Sequence, residues 1–360
     1  MIEFENLKNS NSSFLTEIKS RINSTIDSGW YILGNEVSEF ESEFAKYCQT
    51  KHCIGVGSGL DAIFLAIKSL NLPKKSEILV PSNTFIATIL AIIQSGHIPI
   101  PVEPRIETYN INPDLIEEKI SSKTKAIIVV HLYGKTCEMV QIDHICKKYE
   151  LKLIEDCAQS HGSSLNGKKT GSFGIGAFSF YPTKNLGSFG DAGCVTTNDQ
   201  AINDQIRMLR NYGSSVKYSN EILGFNSRLD EMQAAVLNVK LKYLDAITIH
   251  KRKLADLYNQ GLKDDFIKPT IQNGYYDVFH IYAIRHEKRN ELKEYLLNQG
   301  IKTETHYPIA PHKQKALAET WVKLELPIAE EIHRTTLSLP ISFGTTSNEV
   351  EKVIEVLNKF

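Results

Sequence analysis

Three stretches of the sequence carry side chains whose types and spacing could do chemistry. The first is FSFYPTKNLGSFGDAG, residues 178–193, where a single lysine, Lys184, lies between an apolar, strand-like run and a loop of Gly, Ser and Asn. An ammonium is costly to bury, so a lysine flanked on both sides by inward-pointing sequence needs a reason. Pro182 ends the apolar run and leaves Thr183-Lys184-Asn185 at a turn, while Gly187, Gly190 and Gly193 let backbone pack closely around it. A lysine held partly buried there has a lowered pKa. Its neutral amine is then a nucleophile able to form a Schiff base with an aldehyde. Taken alone, a structural lysine is the plainer reading.

The second stretch is LIEDCAQSHGS, residues 153–163, in which apolar residues deliver Asp156 to the end of a strand. Parallel α/β sheets place their ligands at that edge, and a carboxylate there needs a cationic or proton-donating partner to stay ionised. A helix N-cap, with Gln159 capping in return, is the bland alternative. The third is VGSGLDA, residues 56–62, which opens a helix whose free N–H groups and dipole suit a phosphate. Gly57, Gly59 and Ala62 also satisfy a loose dinucleotide fingerprint with Glu77 beyond it, yet only CIGV precedes it and no long strand comes first. A plain glycine-rich turn is again the alternative. A fourth stretch, GSSLNGKKT (162–170), imitates a phosphate loop, but Lys169 stands where a Ser or Thr should be, and Asn166-Gly167 reads as a hairpin turn.

The three together say more than each alone. A helix-opening glycine loop, then an aspartate at a strand end, then a lysine at a later turn supply what pyridoxal phosphate requires. The loop takes the phosphate, Asp156 keeps the pyridine nitrogen protonated so that the ring draws electrons, and Lys184 carries the aldehyde and moves the proton.

Such a site needs a scaffold, and the pattern of the chain describes one. Residues 12–29 and 36–49 have helical periodicity, with Phe40, Phe44 and Tyr47 on one stripe. Helix and strand then alternate: GLDAIFLAIKSL, EILVPS, TFIATILAIIQSG, IPIPVE, DLIEEKI, KAIIVVHLYG, MVQIDHICKKYE and KLIEDC. Uninterrupted Val/Ile strands between helices predict a mostly parallel sheet covered on both faces. After AFSFYP and GCVTTND comes a long helical tract from about Leu229 to Leu262. It is followed by the DVFHIYAIRH strand, the KRNELKEYLLNQG helix, the IKTETHYP strand and a terminal helix from Ser347. The expected organisation is a large α/β domain over residues 1–245 and a small α+β domain over 246–360.

The bulk numbers exclude several classes. With a formal net charge of -1 over 360 residues, no strong field favours nucleic acid or an anionic membrane. The longest apolar stretch, IATILAIIQSGHIPIP, is broken by Gln94, Ser95, Gly96 and His97 before it spans a bilayer. The N-terminus lacks the basic-then-apolar order of a signal peptide, so a cytoplasmic protein is expected. The six cysteines form no CxxC pair and the histidines show no HExxH spacing, so no metal is expected.

The chain resembles the DegT/DnrJ class of nucleotide-sugar aminotransferases, of the aspartate aminotransferase fold (fold type I). The likeness runs through GNEVSEFESEFAKYC, GVGSGLDAIFLAI, PSNTFIATILAI, VVHLYG, EDCAQSHGS, FSFYPTKNLGSFGDAG, RNYGS, GFNSRLDEMQAAVL and THYPIAPH. The resemblance implies that Lys184 is the Schiff-base lysine, Asp156 the pyridinium partner and Gln159 the residue near the ring hydroxyl. It implies that Ser179 and the backbone of Gly59 and Leu60 hold the phosphate; many members have Thr where Leu60 stands. The resemblance likewise implies that Phe85 stacks on the ring and that Asn226 reaches the phosphate of a neighbouring subunit, hence a homodimer with shared sites. His306 and Tyr307 resemble positions near the sugar nucleotide, and Tyr181 is expected to bind substrate; Lys217 and Tyr218 either shape the sugar pocket or belong to a solvated loop. The implied reaction moves an amino group from L-glutamate to a keto-sugar through pyridoxamine phosphate. GVGSGLDA, PVEPRIETYNI, HLYG and RNYGSS are most similar to enzymes that aminate C3 of a dTDP-linked 3-keto-6-deoxyhexose for surface polysaccharides or glycosylated metabolites. A C4-aminotransferase acting on a nucleotide-linked 4-keto-6-deoxyhexose is the alternative. Lys184 argues against the family's dehydratases, which have His there. A nicotinamide-dependent sugar oxidoreductase would leave Lys184 and Asp156 unexplained, and a non-catalytic relative would be marked by losing Lys184, Asp156 or Ser179.

Overall fold

The computed structural model describes residues 1–216, 218–321 and 323–360. Its centre is a seven-stranded sheet. The strands are β1 (His52–Val56), β2 (Glu77–Pro81), β3 (Ile98–Val102), β4 (Thr124–Val130), β5 (Lys152–Asp156), β6 (Ile175–Ser179) and β7 (Gly193–Thr197), in the spatial order β1-β7-β6-β5-β4-β2-β3. From β6 to β3 the strands run parallel, and β7 is antiparallel to both β6 and β1.

The strand centres are apolar because both faces are covered. Alternate residues serve opposite faces. Ile78, Val80, Ala126 and Ile128 pack with the Gly59–Ser69, Ile86–Gln94 and Gln200–Leu209 helices. Leu79, Ile127 and Val129 pack instead with the Met139–Lys148 helix. Under the β6–β7 end lies an aromatic cluster in which Phe44 meets Phe178 and Phe180 edge-on at 5.0 and 5.3 Å. Phe40 and Phe44 come from the Asn35–Tyr47 helix on the predicted stripe. Truncating such a fully buried ring costs roughly 3–5 kcal/mol.

Toward the C-terminus a second core gathers Leu254, Tyr258, Phe266, Tyr282, Leu292, Leu296, Leu337, Val350 and Val353. Here β8 (Tyr282–Arg285) pairs antiparallel with β9 (Thr336–Leu339), backed by the Arg289–Asn298 and Ser347–Leu357 helices. Ile2 packs against this core and bridges Ile301. The last helix begins with a capping box between Thr346 and Glu349.

Three elements differ from the sequence expectation. DLIEEKI forms two 3-10 turns, Pro113–Leu115 and Glu117–Lys119, since seven residues are too few to nucleate a free-standing α-helix. The tract from Leu229 is two helices, Glu231–Leu241 and Leu244–Gly261, separated at Lys242-Tyr243. IKTETHYP is no strand; it makes only the isolated bridges Ile301–Ile2 and Glu304–Ser338. Its carbonyls are drawn elsewhere, as the site shows. Among the described residues no helix is long and apolar enough to cross a membrane.

Candidate active site

Strand β6 ends at Ser179, and the chain turns through residues 181–188 before β7. The Lys184 N–H donates to the Tyr181 carbonyl at 2.8 Å, and Ser188 returns to the Phe180 carbonyl through its N–H at 2.8 Å and its hydroxyl at 2.7 Å. A β-carbon on Gly187 would lie 2.3 Å from the Pro182 carbonyl oxygen, so only glycine closes this turn. Two buried lysines brace it from behind. Lys240 donates to the Gly187 carbonyl at 2.6 Å, and Lys251 to Asn185 Oδ1 at 2.8 Å and the His280 carbonyl at 3.1 Å. Lys184 itself is half-buried. Burial pulls its amine down to about 8, against the opposing pull of the Asp156 carboxylate.

Asp156 closes β5 and is buried. Burial raises its pKa, opposed by donors on both oxygens and by the Lys184 charge. Thr88 Oγ1 donates to Oδ2 at 2.8 Å and the Ala158 N–H to Oδ1 at 3.1 Å. Gln159 does not cap a helix; its Oε1 accepts from the Tyr133 N–H at 2.6 Å and its Nε2 donates to the Tyr307 hydroxyl at 3.1 Å. The neighbouring Glu155 is spoken for, since it accepts from the N–H groups of Gly171, Phe173 and Gly174 and from His131. His131, Glu155 and Cys157 lie within metal-binding reach of one another. However, both His131 nitrogens are already bonded, to Glu155 and to the Cys137 N–H.

The glycine loop is where the sequence places it. Ser58 caps the Gly59–Ser69 helix by accepting from the Asp61 N–H at 3.1 Å, and its carbonyl takes the Ala62 N–H at 3.0 Å. Among the described residues this leaves the N–H groups of Gly59 and Leu60 without a partner. A β-carbon on Gly59 would lie 2.4 Å from Ser179 Cβ, and one on Gly193 would lie 2.3 Å from the Ser58 carbonyl oxygen. Helix start, β6 end and β7 start therefore converge at one point. Ser227 joins them, accepting from the Gly57 N–H at 3.0 Å and donating to Asp61 at 2.7 Å.

Phe85 stands at the start of the Ile86–Gln94 helix, half-exposed, with its ring 5.1 Å from that of Tyr307. His306 and Tyr307 belong to a loop held by its carbonyls: Tyr133 OH donates to that of His306, and His333 Nδ1 lies 2.6 Å from that of Tyr307. His306 Nδ1 is 2.8 Å from Ser338 Oγ, and burial with the Lys184 charge lowers its imidazole to about 4. Burial and the Lys184 charge likewise bring His161 down to about 3 and push His280 well down, so Lys184 is ringed by neutral imidazoles. Tyr181 and Tyr218 are exposed, and Lys217 lies outside the described residues. Asn226 is exposed and pairs through its backbone with Asn211; among the described residues its side-chain amide has no hydrogen-bond partner.

Lys184, Asp156, Gln159, Ser179, Gly59, Leu60, Phe85, His306 and Tyr307 thus lie around the end of the sheet formed by β5 and β6, linked by the contacts above. Thr88, Tyr133, Ser227, His161 and His280 are additions that sequence reasoning missed. Thr88 follows Thr84 by four residues in TFIAT, a weak signal, and Tyr133 takes a left-handed backbone (φ 60°) that no pattern announces. These residues fit pyridoxal phosphate: free N–H groups at a helix start for the phosphate, a buried carboxylate for the ring nitrogen, and an amine of lowered pKa for the aldehyde.

Comparison with known proteins agrees. Residues 13–358 match the DegT/DnrJ/EryC1/StrS aminotransferase family. The chain is 51% identical to a dTDP-3-amino-3,6-dideoxy-alpha-D-galactopyranose transaminase of Aneurinibacillus thermoaerophilus, covering 100% of this chain and 99% of that one. The structure of S. venezuelae DesV in complex with a ketimine intermediate is similar with a TM-score of 0.98 at 41% identity, covering 99% of this chain and 98% of that one. Bacillus subtilis NtdA with bound cofactor PMP gives a TM-score of 0.93 at 32% identity, covering 98% and 83%. The family works with pyridoxal phosphate, which the donor set above fits. The chain belongs to the DegT/DnrJ/EryC1/StrS aminotransferase family.

Proposed function

We propose that this protein transfers the amino group of L-glutamate to C3 of a dTDP-linked 3-keto-6-deoxyhexose. The observation that carries the chemistry is the convergence of Lys184, Asp156 and the Gly59–Ser179 contact at one end of the sheet. What supports C3 is the name of the 51% identical relative, a transaminase of a dTDP-3-amino sugar; that name weighs against the C4 alternative.

When bound, pyridoxal phosphate supplies an aldehyde that condenses with amines and a ring that withdraws electrons. The N–H groups of Gly59 and Leu60 and the Ser179 hydroxyl hold the phosphate at the positive end of the helix. Phe85 would cover one face of the ring. Asp156, kept ionised by its donors, holds a proton on the ring nitrogen. Lys184, whose amine burial brings down to about 8, takes the proton from the substrate carbon and returns it on the other side of the transfer. Gln159, whose Nε2 donates to the Tyr307 hydroxyl, would lie beside the ring hydroxyl. Tyr181, Tyr218, His306 and Tyr307 would contact the sugar; Lys217, to which the resemblance gives the same role, lies outside the described residues. Asn226 serves the phosphate of a second copy, which makes the working unit a homodimer. We further assign residues 1–245 and 246–360 to two domains, and place the protein in the cytoplasm, making amino sugars for surface polysaccharides or glycosylated metabolites.

The test is the visible absorption of the protein loaded with pyridoxal phosphate. The yellow band bleaches with L-glutamate and returns with dTDP-3-keto-6-deoxyglucose. Return only with a 4-keto sugar would overturn C3, and a loaded protein that glutamate never bleaches would overturn the transaminase.

A further inference from the structure

We propose that Thr88, with Thr84 behind it, is the positioning residue that holds Asp156 ionised and aimed at the cofactor's ring nitrogen. This rests on the aminotransferase reading above. The Thr88 hydroxyl donates to Asp156 Oδ2 at 2.8 Å and lies 2.8 Å from the Thr84 hydroxyl. All three side chains are buried. An ionised carboxylate has no proton to give, so the single hydroxyl proton of Thr88 goes to Asp156, and Thr88 can only accept from Thr84. The relay therefore runs one way, Thr84 to Thr88 to Asp156, and each bond polarises the next. With the Ala158 N–H on Oδ1, each carboxylate oxygen has one fixed donor and keeps lone pairs for a further partner.

The relay also couples two contacts with the ring. Thr84 and Thr88 flank Phe85, and the Thr88 N–H donates to the Phe85 carbonyl at 3.2 Å. One helix start thus sets both the aromatic that covers the ring and the acid that meets its edge. The other titratable groups that feel Asp156 are Lys184, His131, Tyr307, Cys137 and Cys157. Burial keeps Tyr307 and both thiols protonated, and His131 accepts a backbone N–H at Nδ1. Besides Lys184 and His131, Thr88 and the Ala158 N–H favour the ionised carboxylate.

The experiment compares Thr88→Val, which keeps the shape and loses the hydroxyl, with Thr88→Ser. Each is loaded with ring-15N pyridoxal phosphate and read by the 15N chemical shift and by the pH profile of the glutamate half-reaction. Losing a hydrogen bond to a charged group moves the acid limb of Thr88→Val up by about one to two pH units. The 15N signal moves toward neutral pyridine, and Thr88→Ser restores both. Wild-type values in Thr88→Val overturn the proposal, and so does equal loss in both variants. If Thr88→Val takes up no cofactor, Thr84→Val decides: a smaller shift of the same sign supports the relay, and a wild-type 15N signal sinks it. A wild-type protein that glutamate does not bleach would overturn the transaminase reading, while the 15N comparison would still judge Thr88.

Discussion

The Lys184 amine titrates near 8 rather than in the usual lysine range because burial outweighs the attraction of Asp156. Below about pH 8 the group is mostly ammonium and cannot attack; above it the amine is free. The rate at which the cofactor-free protein condenses with pyridoxal phosphate, followed by absorbance, is expected to rise about tenfold per pH unit and level off near pH 8. An unperturbed lysine would keep rising past pH 10. Since Asp156 pulls the value up, Asp156→Asn should move the plateau to lower pH. A plateau above pH 10 in the wild type would contradict the burial argument. Lys184 and Asp156 were legible in the sequence because each is announced by its own neighbours: a proline and glycines around one, an apolar strand before the other. Thr88 and Tyr133 were not, because what matters about them is a bond across space to residues 68 and 173 positions away.

At the scale of elements, the sequence showed the alternation of helix and strand and the covered parallel sheet, because buried strands leave unbroken Val/Ile runs. It did not show that β7 enters antiparallel, nor that the THYP segment stays irregular so that its carbonyls can meet Tyr133 and His333. Chain direction and loop anchoring depend on partners that no local window contains. β7 meets the cap of the Gly59–Ser69 helix so closely that a methyl group on Gly193 would strike backbone. Gly193→Ala is therefore expected to push strand and helix apart, costing about 1–3 kcal/mol and loosening the phosphate grip. Cofactor release on dialysis and the melting temperature measure this. Gly190→Ala, where the new group meets only the movable Gln233 amide, serves as the mild control. Normal retention in Gly193→Ala would show that the close approach is dispensable.

Across the whole molecule, the exposed Asn226 amide, with no hydrogen-bond partner among the described residues of its own chain, suits a role in a second copy. Asn226→Ala should weaken cofactor retention, and Lys184→Ala should abolish transamination while leaving the fold. Mixing the two mutants should restore activity to one site in each mixed dimer. Activity that never exceeds that of Asn226→Ala alone would count against shared sites. The sheet order bears on synthesis as well. β1 is made before β2 to β6, yet among the described residues its one neighbour in the sheet is β7, made after them. While the chain is being made, His52–Val56 therefore waits without its ladder partner, although Glu41 can already take the Gly55 N–H, and its open edge invites chaperones or a neighbouring nascent chain. The residue that ends the wait is Gly193, the first of β7. The strand that completes the sheet also closes the phosphate cup, so the cup cannot form until most of the large unit has emerged.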